Sequence, residues 1–440
     1  MKKTSFYSYS FGCRVNEAEK EEIDRKMALN GFKFDINRPD IFIINSCSVT
    51  NKAERETRQL VYQTKKSLPK SYIVVTGCAV TYWKKNNLYQ GLPIDLLVDN
   101  LNKEFLVDLI KKRLSGQPKF NPRSEIRSVA TVQNQQIFSK FLDSGRLMIK
   151  IQDGCQRFCS FCIVPYLRGL PKSYKINEIV AKIKSLGQTQ NISEVILTAI
   201  NTESFGYDTK EKVADLIRSI IDKTNIRRIS LGSIHPWSIN DDFFRFYQSI
   251  LPKKRLVNFF HIPLQSGSNK ILNLMKRGYT REEMLEKLKK LKKINPFALI
   301  ATDIIVGFLE ETDNDFEDTY NFLKESPISK FHIFRFSKRT KTAADFMAKR
   351  LKEPTVSEKM NRAKALSELS LKKYYEFLEK NVGRTSSLLL LQRRINDFQE
   401  GLLDNQLPIL VKTSKPSQPD RLCEAKIIEF KNGRLFGRII

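Results

Sequence analysis

The segment LMIKIQDGCQRFCSFCIVPYLRG, Leu147–Gly169, opens on an apolar β-type run and continues into three cysteines spaced Cys-x3-Cys-x2-Cys, at 155, 159 and 162. Three thiolates at this spacing suit a cubane 4Fe–4S cluster and leave its fourth iron without a protein ligand. A structural zinc site would take four ligands, often as paired CxxC or with histidine partners. No fourth Cys or His stands nearby, since the three histidines are His235, His261 and His332. Phe158, Phe161, Ile163 and Val164 place apolar side chains around the thiols, to keep water off the metal or to pack a core.

An open iron can be chelated by the amino and carboxylate groups of S-adenosylmethionine, whose sulfonium a reduced cluster then cleaves. Placement agrees, because α/β barrels gather their chemistry at the carboxyl ends of strands. The segment is the first of an alternating series. Strand-like runs recur at Val195–Thr198, Ile229–Leu231, Val257–Ile262, Leu299–Val306 and Phe331–Phe334. Helical patterns fill the gaps, for example Ile176–Leu186, Glu282–Ile294 and Asn314–Lys324. Six strand–helix units fall short of the eight of a full barrel and predict a partial (βα)6 barrel over 145–380. A basic helix, Ser357–Glu379, ends it.

Residues 1–115 alternate in the same way, with strands expected at Thr4–Tyr9, Ile41–Asn45, Tyr72–Thr76 and Ile94–Val98. Amphipathic stretches such as Glu17–Asn30 and Asn51–Leu68 lie between them, which predicts a parallel sheet with crossover helices. The stretch 116–144 is rich in Gln, Asn, Ser and Pro and reads as a linker. Residues 381–440 carry short strand candidates at Ser387–Gln392, Pro408–Thr413, Ala425–Phe430 and Leu435–Ile440, split by Gly and Pro. They predict a small β-barrel of the oligonucleotide-binding type. The fold class is α/β with this β-barrel appended.

Cys13, Cys47 and Cys78 are widely separated, yet each follows an expected parallel strand at its carboxyl end. Open α/β sheets present ligands at that edge. The settings FGCRVN, NSCSVTN and TGCAV add glycine or small polar neighbours, and Gly12 and Gly77 would let backbone approach a bulky group. A second cluster with an open iron is one reading, and three inert buried cysteines the other. Cys423 has no companion and reads as a structural thiol.

Lys and Arg number 76 against 48 Asp and Glu, a formal charge of +28 over 440 residues. That excess suits a polyanionic partner, because each neutralised phosphate releases condensed counterions. Apolar residues make up 41%, enough to bury cores, so disorder is excluded. No apolar run approaches the roughly 18 residues that span a bilayer. The N-terminus MKKTSFYSYSFGC lacks a signal-peptide core. A cytoplasmic protein without membrane contact is expected, and its cysteines point to metal or catalysis rather than disulfides.

These elements in this order resemble the methylthiotransferase family of radical S-adenosylmethionine enzymes, across essentially the whole chain. HIPLQSGS, His261–Ser268, and TDIIVGF, Thr302–Phe308, look like that family's barrel motifs. KIQDGC, NSCSVTNKAE and FSKRT look most like the branch that acts on N6-threonylcarbamoyladenosine 37 of tRNA. The resemblance implies an auxiliary 4Fe–4S cluster on Cys13, Cys47 and Cys78, a radical cluster on Cys155, Cys159 and Cys162, and a C-terminal TRAM domain. It implies S-adenosylmethionine as both radical source and methyl donor. The expected partners are the tRNA anticodon loop, an electron-donor protein and a sulfur source. The adenine C2–H is unactivated, so a 5′-deoxyadenosyl radical would abstract the hydrogen where no ordinary base could.

Phe161, Ser233, His261, Gln265 and Asp303 are the candidate cofactor-pocket residues, the last four expected at carboxyl ends of barrel strands; structural hydrogen bonding or packing is their alternative role. No single catalytic side chain is assigned. The sequence departs from the family where Leu309-Glu310 replaces the usual Pro-Gly, Ala199 a usual glycine, and His235 a glutamate common in this branch. Competing readings are an isopentenyladenosine substrate, a ribosomal-protein substrate, and a non-catalytic iron–sulfur RNA-binding protein. The +28 charge would repel a basic ribosomal protein and attract tRNA.

Overall fold

The structure is a computed structural model that describes residues 4–115, 145–189, 191–413 and 422–440. The linker expected at 116–144 lies outside the described residues. The chain forms two compact units. One takes the described part of Met1–Ser139 with Asp153–Gln156 and Cys162–Leu170, and the other takes the rest.

In the first unit, strands β1 (Ser5–Ser10), β2 (Lys33–Phe34), β3 (Ile41–Ser46), β4 (Tyr72–Gly77) and β5 (Leu96–Val98) form one sheet in the order β2-β1-β3-β4-β5. All neighbours are parallel. Helices α1 (Arg14–Leu29), α2 (Asn51–Ser67), α3 (Cys78–Asn86) and α4 (Leu106–Leu114) cross between them. Ile41, Ile43 and Ile44 are fully buried, the continuous apolar run expected of a parallel strand covered on both faces. Strand β2 escapes sequence reading because two residues are too few to show a period. Helix α1 begins three residues earlier than expected, directly after Cys13.

The second unit contains both barrels. Six parallel strands, β6 (Arg146–Asp153), β8 (Glu194–Ala199), β9 (Arg228–Leu231), β10 (Phe259–His261), β11 (Leu299–Val306) and β12 (Lys330–Arg335), realise the partial barrel, with the two-residue β7 (Lys172–Ser173) beside β6. Between β9 and β10 the ladder thins to a few bonds, including Ile229 N to Arg255 O at 2.7 Å and Val257 N to Ile229 O at 2.8 Å. After α5 (Val164–Arg168), the helices are α6 (Ile176–Thr189), α7 (Val213–Lys223), α8 (Asp241–Ile250), α9 (Asn269–Leu274), α10 (Arg281–Ile294), α11 (Asp313–Glu325), α12 (Ala343–Met347) and α13 (Val356–Lys380). Capping boxes start α10 (Thr280 with Glu283), α11 (Thr312 with Asp315) and α13 (Thr355 with Glu358). Each such cap stabilises its helix by about 1 kcal/mol.

The C-terminal strands β13 (Thr385–Ile395), β14 (Phe398–Leu403), β15 (Pro408–Lys412), β16 (Leu422–Lys431) and β17 (Arg434–Ile439) close a five-stranded barrel. Sequence reading finds four of them and misses β14, where Gly401 looks like a breaker. In the sheet that glycine is required, since a Cβ there would lie 2.4 Å from Leu388 Cδ1 and 2.9 Å from Leu389 O. The barrel shares a core with the larger one, joining Leu388, Leu390, Leu403 and Ile409 to Val257, Phe259 and Leu299. Arg228, at the start of β9, donates to the carbonyls of Leu402 and Leu403 at 2.9 Å each.

Candidate metal centre

Sheet order decides the first triad. Strands β1, β3 and β4 are neighbours, in register at Ser10–Asn45 and Ser46–Gly77. Cys13, Cys47 and Cys78 therefore stand at three adjacent carboxyl ends. Cys13 occupies the N-cap position of α1 and Cys78 opens α3, so both thiols stand at helix N-termini. Gly12 and Gly77 both have positive φ. A Cβ on Gly12 would lie 2.7 Å from Cys47 Sγ, and one on Gly77 would lie 2.4 Å from Ser46 O. Only glycine leaves this cradle open.

The three thiols lie within one another's electrostatic reach. Burial, and then the charge of Cys78, push the Cys47 thiol up to about 12. Burial also raises Cys13, against the opposing charge of Arg168, although the residue keeps an exposed edge. None of the seven cysteines is in a disulfide. Among the described residues no three His, Cys, Asp or Glu side chains close around a single metal ion. A cubane spreads its thiolates over separate irons, so its ligand sulfurs stand farther apart than those around one ion. The donor set, three thiols over a glycine-lined cradle, fits such a group.

Beneath the thiols lies a buried polar network that sequence reading misses. Arg168, at the end of α5, donates to Glu19 Oε1 at 2.8 Å, Asp153 Oδ1 at 2.9 Å and Asn16 Oδ1 at 2.8 Å. Lys103 donates to Glu19 Oε2 at 2.6 Å and Asn45 Oδ1 at 3.0 Å. Asn45 donates to Asn16 O at 2.8 Å, and Asn100 reaches Cys78 Sγ at 3.5 Å and Leu167 O at 3.2 Å. The one available signal for Arg168 is its place six residues after Cys162.

Of the second triad, Cys155 and Cys162 belong to the first unit and Cys159 to the second. Cys155 N donates to Gly169 O at 3.0 Å. Cys159 is buried and accepts a hydrogen bond from Arg277 Nη1 at 3.2 Å. Arg277 is fixed in turn by Pro263 O at 2.7 Å and Tyr279 Oη at 2.9 Å. Ser160 donates to Leu274 O, and Phe161 packs with Ile271, Phe308 and Phe336. A buried sulfur that already accepts a hydrogen bond from a fixed guanidinium is a donor atom held in one place, which fits a cluster ligand.

His261 closes β10 and pairs with Asp303 at 3.0 Å, its ring 5.6 Å from that of His332. Asp303 is in the middle of β11, not at its carboxyl end as expected; its register partner on β12 is His332. Ser233 Oγ donates to His261 O at 3.3 Å. Gln265 lies in left-handed backbone at φ 83°, held by Gln265 N to Asp303 O at 2.8 Å and Ile305 N to Gln265 O at 2.9 Å. Phe161 packs against an apolar cluster of the same unit that also takes in Ile305, whose N–H donates to Gln265 O.

The departures from the family pattern have local accommodations. Glu310 takes the glycine's place at φ 59° and is tied to Lys352 by its N–H to Lys352 O at 2.8 Å. Leu309 is fully buried beside Phe308. Ala199 ends β8 in register with Gln152. His235 stacks on Trp237, which also carries Arg157 at 4.1 Å and Arg277 at 4.6 Å over its ring. Burial, with the charge of Arg277 next, pushes His235 down to about 3, so its imidazole is neutral.

Residues 149–323 match the Radical SAM superfamily, and residues 5–99 match a family described as Uncharacterized protein family UPF0004. The chain is 35% identical to the threonylcarbamoyladenosine tRNA methylthiotransferase MtaB of Aquifex aeolicus, over 87% of this chain and 92% of that one. It is 34% identical to the Bacillus subtilis protein of the same name, over 85% and 82%. A tRNA-2-methylthio-N(6)-dimethylallyladenosine synthase of Petrotoga mobilis is 32% identical over 84% and 86%. Among solved structures, the radical S-adenosylmethionine methyltransferase TsrM of Kitasatospora setae, with cobalamin and a [4Fe-4S] cluster bound, superposes with a TM-score of 0.53. It shares 11% identity over 76% of this chain and 75% of that one, which speaks for the fold alone. On sequence kinship across most of its length, with the superfamily match behind it, this chain belongs to the radical S-adenosylmethionine methylthiotransferases, enzymes that work with a 4Fe–4S cluster and S-adenosylmethionine.

Proposed function

We propose that this chain places a methylthio group on C2 of N6-threonylcarbamoyladenosine 37, in the anticodon loop of cytoplasmic tRNA. The observation that carries the reading is the alignment of Cys13, Cys47 and Cys78 at the carboxyl ends of three adjacent parallel strands. These would hold the auxiliary cluster, and Cys155, Cys159 and Cys162 the radical cluster. The functional domains are taken as 1–115, 145–380 and 381–440, the last as a TRAM domain. The threonylcarbamoyl substrate is favoured by the names of the Aquifex and Bacillus relatives, and a tRNA partner by the +28 charge.

When bound, the clusters and S-adenosylmethionine supply the one-electron chemistry that an unactivated C2–H requires. The chain's own residues position and shield. Arg277 holds Cys159 in place. His261, Gln265, Asp303 and Ser233 would offer polar contacts to S-adenosylmethionine, and Phe161 would keep water out. The reaction also draws on an electron-donor protein and a sulfur source.

Mass analysis of tRNA nucleosides from a deletion strain tests the substrate. The 2-methylthio form of threonylcarbamoyladenosine should vanish, with that of dimethylallyladenosine unchanged. The opposite pattern transfers the activity to the dimethylallyl substrate, the reading the Petrotoga relative's name favours. Anaerobic reconstitution tests the chemistry: about eight irons per chain and release of 5′-deoxyadenosine on reduction are expected. Iron without that release would leave an RNA-binding iron–sulfur protein.

A further inference from the structure

We infer that Arg168 is a positioning residue of the auxiliary cysteine pocket, pinning both ends of the Asp153–Gly169 loop to α1 and supplying the pocket's positive charge. The inference rests on the proposed role of Cys13, Cys47 and Cys78.

The contacts of Arg168 are unusual in their reach. Its side chain is 1% exposed. The guanidinium donates to both oxygens of the Glu19 carboxylate at 2.8 and 3.3 Å, from Nη1 to both oxygens of the Asp153 carboxylate at 2.9 and 3.1 Å, and from Nη2 to Asn16 Oδ1 at 2.8 Å. Asp153 stands two residues before Cys155, and Arg168 six after Cys162. The loop's base is closed a second time by Cys155 N donating to Gly169 O. Gly154 has positive φ, and a Cβ on it would lie 2.2 Å from Leu170 O, so the two ends of the loop are pressed together. Glu19 and Asn16 lie on the first turns of α1, the helix capped by Cys13. One side chain thus ties the segment bearing Cys155 and Cys162 to the helix bearing Cys13.

The same group sets the local field. Arg168 is the largest opposing charge on the Cys13 thiol. Burial works against the guanidinium's own charge, but Cys78, Glu19 and Asp153 outweigh it and keep it protonated. Adding an electron to a cluster here places negative charge beside a fixed, poorly screened cation. The cation should therefore raise the reduction potential of a cluster on this triad. Glu19, its anionic partner, should lower it.

The test uses the full-length chain with Cys155, Cys159 and Cys162 changed to alanine, reconstituted anaerobically so that only the Cys13/Cys47/Cys78 site can load. Iron content and the midpoint potential are read by electron paramagnetic resonance during a redox titration. Arg168→Met should lower the midpoint and Glu19→Gln should raise it. The double variant should return toward the parent, and Arg168→Lys, which keeps the charge, should stay near it. If Arg168→Met does not fold, the upward shift of Glu19→Gln carries the test. Equal midpoints across the series, or a lysine variant shifted as far as methionine, overturn the inference while leaving the cluster assignment standing. A parent that binds no iron overturns both.

Discussion

At the scale of single residues, the six cysteines could be read from spacing and from the strands they follow, but the groups around them could not. Arg168 is inside the segment that decides the fold, yet its partners Glu19 and Asn16 are 149 and 152 positions away. A pairing of that separation leaves no local pattern. His235 is a similar case, visible in the sequence only as a departure from its family. Its chemistry comes from burial and from Arg277, which push its pKa from 6.5 to about 3. The unfolded chain takes up this proton near pH 6.5 and the folded chain does not. Stability is therefore full above that pH and falls as pH drops toward 3. His235→Gln should flatten the acid side of the profile, measured as thermal unfolding midpoints from pH 7 to pH 4.5. Parallel profiles for the two proteins would show that the imidazole does not carry this loss.

At the scale of elements, helices were legible where capping chemistry and period agreed, as in α10, α11 and α13, found to within one residue at their starts. Strands shorter than a period, or interrupted by a glycine that crowding demands, were not, as β2 and β14 show. What anchors α13 was also hidden. Arg362 donates to Glu311 Oε2 at 2.9 Å, in the turn between β11 and α11, and to Asp313 Oδ1 at 2.8 Å, on the first residue of α11. Burial raises Glu311 to about 7, against the N–H of Gly307 and the charge of Arg362. Arg362→Met would strand that carboxyl in a buried site, at a cost of about 3 kcal/mol. A lowered unfolding midpoint is expected, partly recovered in the Glu311→Gln/Arg362→Met double variant. No recovery would mean that packing of the arginine stem, rather than the charge left behind, sets the cost.

At the scale of the whole molecule, the charge of +28 and the order of the three regions could be read directly, and they restrict the partner class. The attachment of the C-terminal barrel could not. Its core is continuous with Val257, Phe259 and Leu299 of the larger barrel, and Gln406 donates to the buried Glu194 at 2.8 Å. A chain ending at Lys380 would return those three side chains to water, a loss of about 5 kcal/mol or more. It should melt well below the full chain and elute as aggregates in size-exclusion chromatography. A monomeric product with an unchanged midpoint would show that the two barrels are stable independently.

The sequence by itself determined the cysteine ligand candidates, the alternation that makes two α/β regions, and the basic charge, because each is written in local spacing or in a sum over residues. The tertiary structure alone decided that β1, β3 and β4 are neighbours, that Arg168 and Lys103 share Glu19 beneath the thiols, and that Asp303 meets His261 from mid-strand. Those facts depend on strand order and on contacts between residues far apart in the chain. Burial then fixes their chemistry, because a charge removed from water must find its partner in the fold.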